Sequence, residues 1–328
     1  MRIIVSGLLL VTALLIAFPS FFTSAEMLTP TPAFGVSPTP DPYADLTIPY
    51  LASRAYGGGE LQVHQVLDTY PTFTRYLISY PSDGLTIYGF MNVPNTDGPF
   101  PVIIALHGYI DPGIYTTIDY TTHYADELAQ AGYLVIHPNL RGYWPSDDGP
   151  NLFRVGFAID VLNLIALVRQ YAGYPGPLEL AQPEAIGLWG HSMGGGVSLR
   201  VLTLSPDVKA AVLYGSMSGD EQKNYEQIAI WSGGTRGQEE LSIPAEALQR
   251  IGAIYYLDRI QASISLHHGE NDEQVPLEWT ADLCSRLIAL QKSVECFSYE
   301  DEPHTFTGDG DQLFIHRTIA FFDAQLKR

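Results

Sequence analysis

The stretch "GLWGHSMGGGVSLRVL", residues 187–202, decides how this chain is read. Within it, Gly190-His191-Ser192-Met193-Gly194 fits the pattern G-x-S-x-G. A short apolar run, "AIGLWG" at 185–190, precedes it, and apolar residues at helical spacing follow to about Leu204. Strand, sharp turn and helix are the context in which such a serine is a nucleophile. Gly190 and Gly194 are needed because side chains beside so tight a turn would collide with neighbouring backbone. The turn lifts the Ser192 hydroxyl clear of the sheet, and the helix that follows aims its free N–H groups and positive dipole end at the same spot. A glycine-rich phosphate loop is the competing reading, but the lysine of such a loop is missing.

Outward from the elbow, strands and helices alternate. Continuous apolar runs at 101–108, 133–139, 185–190, 208–216 and 263–272 read as strands buried on both faces. Helices are expected at 123–132, 153–173, 193–204, about 277–291 and about 312–326, with a further strand at 294–299. "TRYLISYPSDGLTIYGFMNVP", 74–94, alternates around Ser82-Asp83-Gly84 and reads as a hairpin. The fold class is therefore α/β: a mostly parallel sheet covered by helices on both faces, with antiparallel strands at one edge. The segment 218–260 breaks the rhythm. It reads as a mostly helical, polar insertion overhanging the strand ends where such sheets bind ligands. Tyr225 and Trp231 either line the pocket there or pack within the insertion.

A serine hydroxyl needs a base, and the base an orienting acid; after an elbow of this kind they follow in the order Ser, Asp, His. Asp272 lies just beyond a buried strand in "LHHGENDEQVP", and His304 lies beyond the last strand in "YEDEPHTF". Ser192, His304 and Asp272 are thus the expected nucleophile, general base and orienting acid. Glu270 and Glu273 are the other carboxylates within reach. His137, His191, His267 and His268 read as packing or supporting residues. The oxyanion requires donors fixed in advance: the Met193 N–H, next to the nucleophile, and the Tyr109 N–H, in the loop where Gly108 lets the backbone turn towards the site.

"GHSMGG", "ALHG", "HGENDEQVP" and "EPHTF" together resemble the α/β-hydrolase fold. More narrowly they resemble the catalytic domain of the prolyl oligopeptidase family, with its dipeptidyl-aminopeptidase and acylaminoacyl-peptidase-like relatives. "NLRGYWPSDDGPN", 139–151, is similar to that family's arginine-glycine segment, and the resemblance covers about residues 72–326. It implies acyl transfer through a serine ester with no metal or cofactor, on short peptides. Two features depart from the family: no β-propeller repeat is present, and no glutamate pair would fix a substrate amine. A carboxylesterase acting on small acyl esters is therefore the alternative, and a non-catalytic binding module a third.

The 328 residues carry a net charge of −19, which argues against nucleic acid and anionic membrane surfaces as partners. Arg2, an apolar run from Ile3 to Phe18 and the small residues Thr23 to Ala25 read as a signal peptide over 1–25, or as an uncleaved anchor. Residues 26–42 read as a Thr/Pro-rich spacer that stays extended and holds the catalytic domain, 43–328, away from a membrane or wall. Secretion is the expected destination. Cys284 and Cys296 fit an exported chain, either as one disulfide or as two buried thiols; they do not form a zinc site. The oligomeric state is not legible.

Overall fold

The computed structural model describes residues 41–327. The expected signal peptide, and all but the last two residues of the spacer, lie outside the described residues. Nine strands form one sheet: β1 (Gln62–Thr69), β2 (Phe73–Ser82), β3 (Leu85–Pro94), β4 (Phe100–Leu106), β5 (Leu134–Pro138), β6 (Ala181–His191), β7 (Val208–Tyr214), β8 (Ser263–Gly269) and β9 (Val294–Tyr299). Their order is β1-β2-β3-β5-β4-β6-β7-β8-β9. The first three strands run antiparallel down to the β3–β5 junction, and the rest are parallel.

The helices are α1 (Ile48–Ser53), α2 (Thr121–Gln130), α3 (Val155–Tyr171), α4 (Met193–Leu204), α5 (Glu221–Trp231), α6 (Gln238–Leu241), α7 (Ala245–Ile251), α8 (Leu277–Ala289) and α9 (Gly308–Leu326). Strand β4 explains why the central strands read as unbroken apolar runs. Val102, Ile104 and Leu106 pack into one apolar cluster with residues of α3 and α4, whereas Ile103 and Ala105 pack into a second with α2 and α9. Both faces are buried, so neither alternate position can be polar.

Two elements escaped the sequence pattern. Strand β1 is exposed along almost its whole length and pairs with β2 through register shifts at Val63/Gln65 and Val66/Asp68. An edge strand with no buried face has no hydrophobic alternation to read. Helix α1 spans six residues, too few for helical periodicity to declare itself. Helix α9 also starts earlier than its apolar run, taking in Gly308 to Asp311 as an acidic first turn.

The segment 139–151 is tied down from below. Arg141 binds Asp160 of α3 through Nη2 to Oδ1 at 2.8 Å and Nε to Oδ2 at 3.2 Å, and Ser82 Oγ donates to the same carboxylate at 2.6 Å. Burial pushes the Asp160 carboxyl up, against the pull of Arg141. Cys284 and Cys296 form a disulfide between α8 and β9, so the free-thiol alternative does not hold. Among the described residues no helix is long and apolar enough to cross a membrane.

Candidate active site

Ser192 sits between β6 and α4 with φ 54° and ψ −115°, a left-handed conformation unusual for a side chain-bearing residue. Backbone bonds hold it there. Its N–H donates to the Tyr214 carbonyl at 2.8 Å, and its carbonyl accepts from Met217 N–H at 3.0 Å. Both flanking glycines are required by close approach: a Cβ on Gly190 would come 2.4 Å from the Gly194 carbonyl oxygen, and one on Gly194 would come 2.2 Å from that of Leu106. Met193 is the first residue of α4, so its N–H has no acceptor within the helix.

Asp272 and His304 meet across two loops. The His304 ring donates through Nδ1 to Asp272 Oδ2 at 2.7 Å, and both side chains are buried. The other carboxylate oxygen, Oδ1, accepts the backbone N–H groups of Gln274 and Val275, each at 2.8 Å. His268 Nε2 stands 3.1 Å from Oδ2. Burial works to raise the Asp272 carboxyl, but the hydrogen bonds from His268 and His304, the His304 charge and the Val275 N–H outweigh it and hold the group well below the usual carboxylate range.

The other two carboxylates are occupied elsewhere. Glu270 accepts from Ser298 Oγ at 2.7 Å, and Glu273 takes the backbone N–H of His304 rather than its ring, at 3.3 Å. Ser192 reaches the pair through its neighbour. The His191 ring packs 4.6 Å from that of His304, and its Nε2 bonds the His304 carbonyl at 2.9 Å. Among the described residues no hydrogen bond joins Ser192 Oγ to His304. Catalytic hydrogen bonds of this kind often tighten only once substrate is bound.

The loop after β4 comes to the same place. A Cβ on Gly108 would come 3.2 Å from Ser192 Cβ and 2.5 Å from the Tyr120 hydroxyl. The Gly108 N–H donates to that hydroxyl at 2.5 Å, which leaves the next donor along, the Tyr109 N–H, as the one not assigned to Tyr120. The Tyr109 side chain meets the insertion, its hydroxyl accepting from Arg236 Nη1 at 2.5 Å.

The insertion is anchored by a buried charge cluster. Glu221 of α5 accepts from Arg154 at 2.5 Å and also from Arg200 of α4. Tyr225 packs there, edge-on to Phe153 at 5.4 Å and 4.9 Å from the Arg154 guanidinium. It is buried against these two residues at the base of the insertion, whereas Trp231, at the end of α5, is exposed. Among the described residues no group of His, Cys, Asp and Glu is arranged to hold a metal ion.

A family model described as the alpha/beta hydrolase fold matches residues 101–261. The chain has the α/β-hydrolase fold. A Synechocystis sp. protein provisionally named a carboxymethylenebutenolidase is 25% identical over 245 residues, covering 71% of this chain and 86% of that one. Acetyl xylan esterase 1 from Thermoanaerobacterium sp. is similar in structure, with a TM-score of 0.60 and 18% identity over 80% of this chain and 88% of that one. The Pyrococcus horikoshii acylaminoacyl peptidase is similar with a TM-score of 0.63 and 22% identity, over 79% of this chain but 43% of that one. The α/β-hydrolase fold is thus shared here with both esterases and peptidases, in keeping with a serine hydrolase.

Sequence inspection missed Tyr120, which lies in a polar stretch with no motif around it. His191, read as a local packing residue at the elbow's variable position, also hydrogen-bonds Tyr120 and the His304 carbonyl.

Proposed function

We propose that the protein is an extracytoplasmic serine hydrolase that cleaves small acyl esters through Ser192, His304 and Asp272. The reading is carried by the 2.7 Å pairing of Asp272 with His304, at the same sheet edge as a positive-φ Ser192. His304 Nε2 takes the Ser192 proton as Oγ attacks the acyl carbon. Asp272 holds the ring with its Nδ1–H inward and stabilises the imidazolium that forms. Charge gathering on the acyl oxygen is met by the N–H groups of Met193 and Tyr109. His304 then protonates the leaving alcohol, and water, activated by the same ring, releases the acid from the acyl-enzyme.

The ester reading is favoured by the likeness to an acetyl xylan esterase and to a protein provisionally named a carboxymethylenebutenolidase. Secretion is favoured by the N-terminal pattern and by the Cys284–Cys296 disulfide, since disulfides persist in oxidising compartments. Short peptides are the second reading, resting on the resemblance of "GHSMGG", "HGENDEQVP" and "EPHTF" to the prolyl oligopeptidase family.

Exposed apolar side chains lie on segments that follow strands at the same sheet edge as Ser192. Ile114, Trp144 and Ile230 are 75%, 76% and 70% exposed. They lie on the segments after β4, β5 and β7, all at the C-terminal edge of the sheet. Contiguous apolar surface marks binding sites; these side chains favour substrates with an apolar acyl or alcohol group. The test is turnover of p-nitrophenyl esters against peptide anilides, with Ser192→Ala as control. Brisk ester turnover without anilide cleavage supports the ester reading. Anilide cleavage at comparable kcat/KM replaces it with the peptide reading, and no turnover above Ser192→Ala refutes both.

A further inference from the structure

We propose that Tyr120 and His191 form a positioning relay that locks the oxyanion loop and the His304 loop onto the nucleophile elbow. The proposal rests on the hydrolase reading above. It starts from a hydrogen-bond chain that has a single consistent direction. His191 Nε2 lies 2.9 Å from the His304 carbonyl oxygen, which can only accept, so Nε2 carries the proton. Burial, with His304 beside it, pushes the His191 ring down to about 3, so it is neutral in the working range. Its Nδ1 is then a bare acceptor. The Tyr120 hydroxyl, 3.0 Å away, must donate to it. That leaves the hydroxyl's lone pairs for the Gly108 N–H. The order is fixed from end to end: Gly108 N–H to Tyr120 oxygen, Tyr120 O–H to His191 Nδ1, and His191 Nε2–H to the His304 carbonyl.

Each end of the chain holds one half of the proposed machinery. At one end, fixing the Gly108 peptide fixes the orientation of the Tyr109 peptide after it, whose N–H is the expected oxyanion donor. At the other end, the backbone of His304 is pinned, so its ring meets Asp272. The middle member is the residue directly before Ser192. His191 is itself clamped, 4.3 Å from the Tyr214 ring, and the Tyr214 hydroxyl accepts the backbone N–H of Phe306, two residues beyond His304. Three loops from three strand ends are thereby referenced to one buried imidazole. None of these groups touches the reacting atoms; they act through Tyr109 and His304.

Tyr120→Phe removes one oxygen and leaves the ring in place. It is expected to lower kcat on p-nitrophenyl acetate about 10- to 100-fold with KM nearly unchanged, because misplacing catalytic groups by an ångström has effects of that size. Fluorophosphonate labelling of Ser192 should slow in proportion. His191→Leu should lose at least as much. His191→Gln, whose amide offers both a donor and an acceptor, should recover most of that loss. A purely structural role would instead lower the Tm of Tyr120→Phe and His191→Leu while leaving the labelling rate of the folded protein at the wild-type value. That result, or equal losses in His191→Gln and His191→Leu, overturns the relay. If wild type is labelled no faster than Ser192→Ala, the hydrolase reading itself fails and the relay falls with it. Wild-type labelling with an unaffected Tyr120→Phe removes the relay alone.

Discussion

His268 Nε2 lies 3.1 Å from Oδ2 of Asp272, the same oxygen that accepts the His304 ring N–H at 2.7 Å. Asp272 therefore has a second imidazole at its back, and its orientation does not depend on His304 alone. His268 is itself oriented, with Thr280 Oγ1 2.7 Å from its Nδ1. Asp272→Asn should lower kcat by about 10³- to 10⁴-fold, the scale expected when the orienting acid of a triad is lost. His268→Ala should lower it by about tenfold, since a hydrogen bond to a charged group contributes about 1.5–3 kcal/mol. Glu273→Gln should change it by less than about threefold, because Glu273 meets the His304 backbone and the Gln274 side chain but not the His304 ring. Steady-state rates of the three variants check the order; an Asp272→Asn enzyme no slower than Glu273→Gln would place the acid elsewhere.

Glu221 is expected to control whether the insertion stays on the domain. It is buried with Arg154 and Arg200 against its two oxygens. Glu221→Gln leaves two buried guanidinium groups without their counter-charge, a change that costs about 3–5 kcal/mol. A fall in Tm of at least about 6 °C is expected for a chain of this size, together with faster proteolysis within 218–260. A thermal melt within about 2 °C of wild type would show that the cluster does not anchor the insertion.

The parallel half of the sheet was legible because burial on two faces leaves only apolar residues, as throughout β4 and in β7 after the exposed Lys209. Ser192, Asp272 and His304 could be picked out because each follows a strand that ends in glycine or a turn. The joining contacts were not legible. Tyr120 and His191 are 71 residues apart, and their hydrogen bond depends on how the segment before α2 lies over the elbow. Strand β1 was hidden for the opposite reason: it has little buried surface to impose a pattern. The insertion read as polar, yet Ile243, Leu248, Ile251 and Leu257 are buried within it, spaced too irregularly over its short helices to form a stripe.

The exposed apolar edge should govern substrate choice rather than stability. Asn139 joins two of its loops, donating to Thr117 Oγ1 at 2.9 Å and to the Trp144 carbonyl at 3.1 Å. The Trp144 side chain itself stands in solvent. Trp144→Ala is expected to leave Tm within about 1 °C, as exposed substitutions generally do. It should raise KM for butyrate or benzoate esters about three- to tenfold while changing acetate esters less. Equal effects on acetate and benzoate would remove Trp144 from the binding surface.

Stability should fall steeply on the acid side of neutrality. Burial holds His191 and His267 down to about 3, and depresses His107 and, further still, His137. In the unfolded chain the same side chains titrate near 6.5. Between those values the unfolded state binds protons that the folded state refuses, so stability is full above about pH 6.5 and declines as the pH falls. His191 and His267 each contribute about 1.4 kcal/mol per pH unit in that range, and His107 and His137 act in the same direction. Asp272, held low in the folded state, adds to the loss below about pH 4. Urea unfolding at pH 7.5, 6.5, 5.5 and 5.0 should give a nearly flat stability above 6.5 and a drop of several kcal/mol between 6.5 and 5.0. A drop of less than about 1.4 kcal/mol over that interval would mean that these imidazoles are not held neutral by burial.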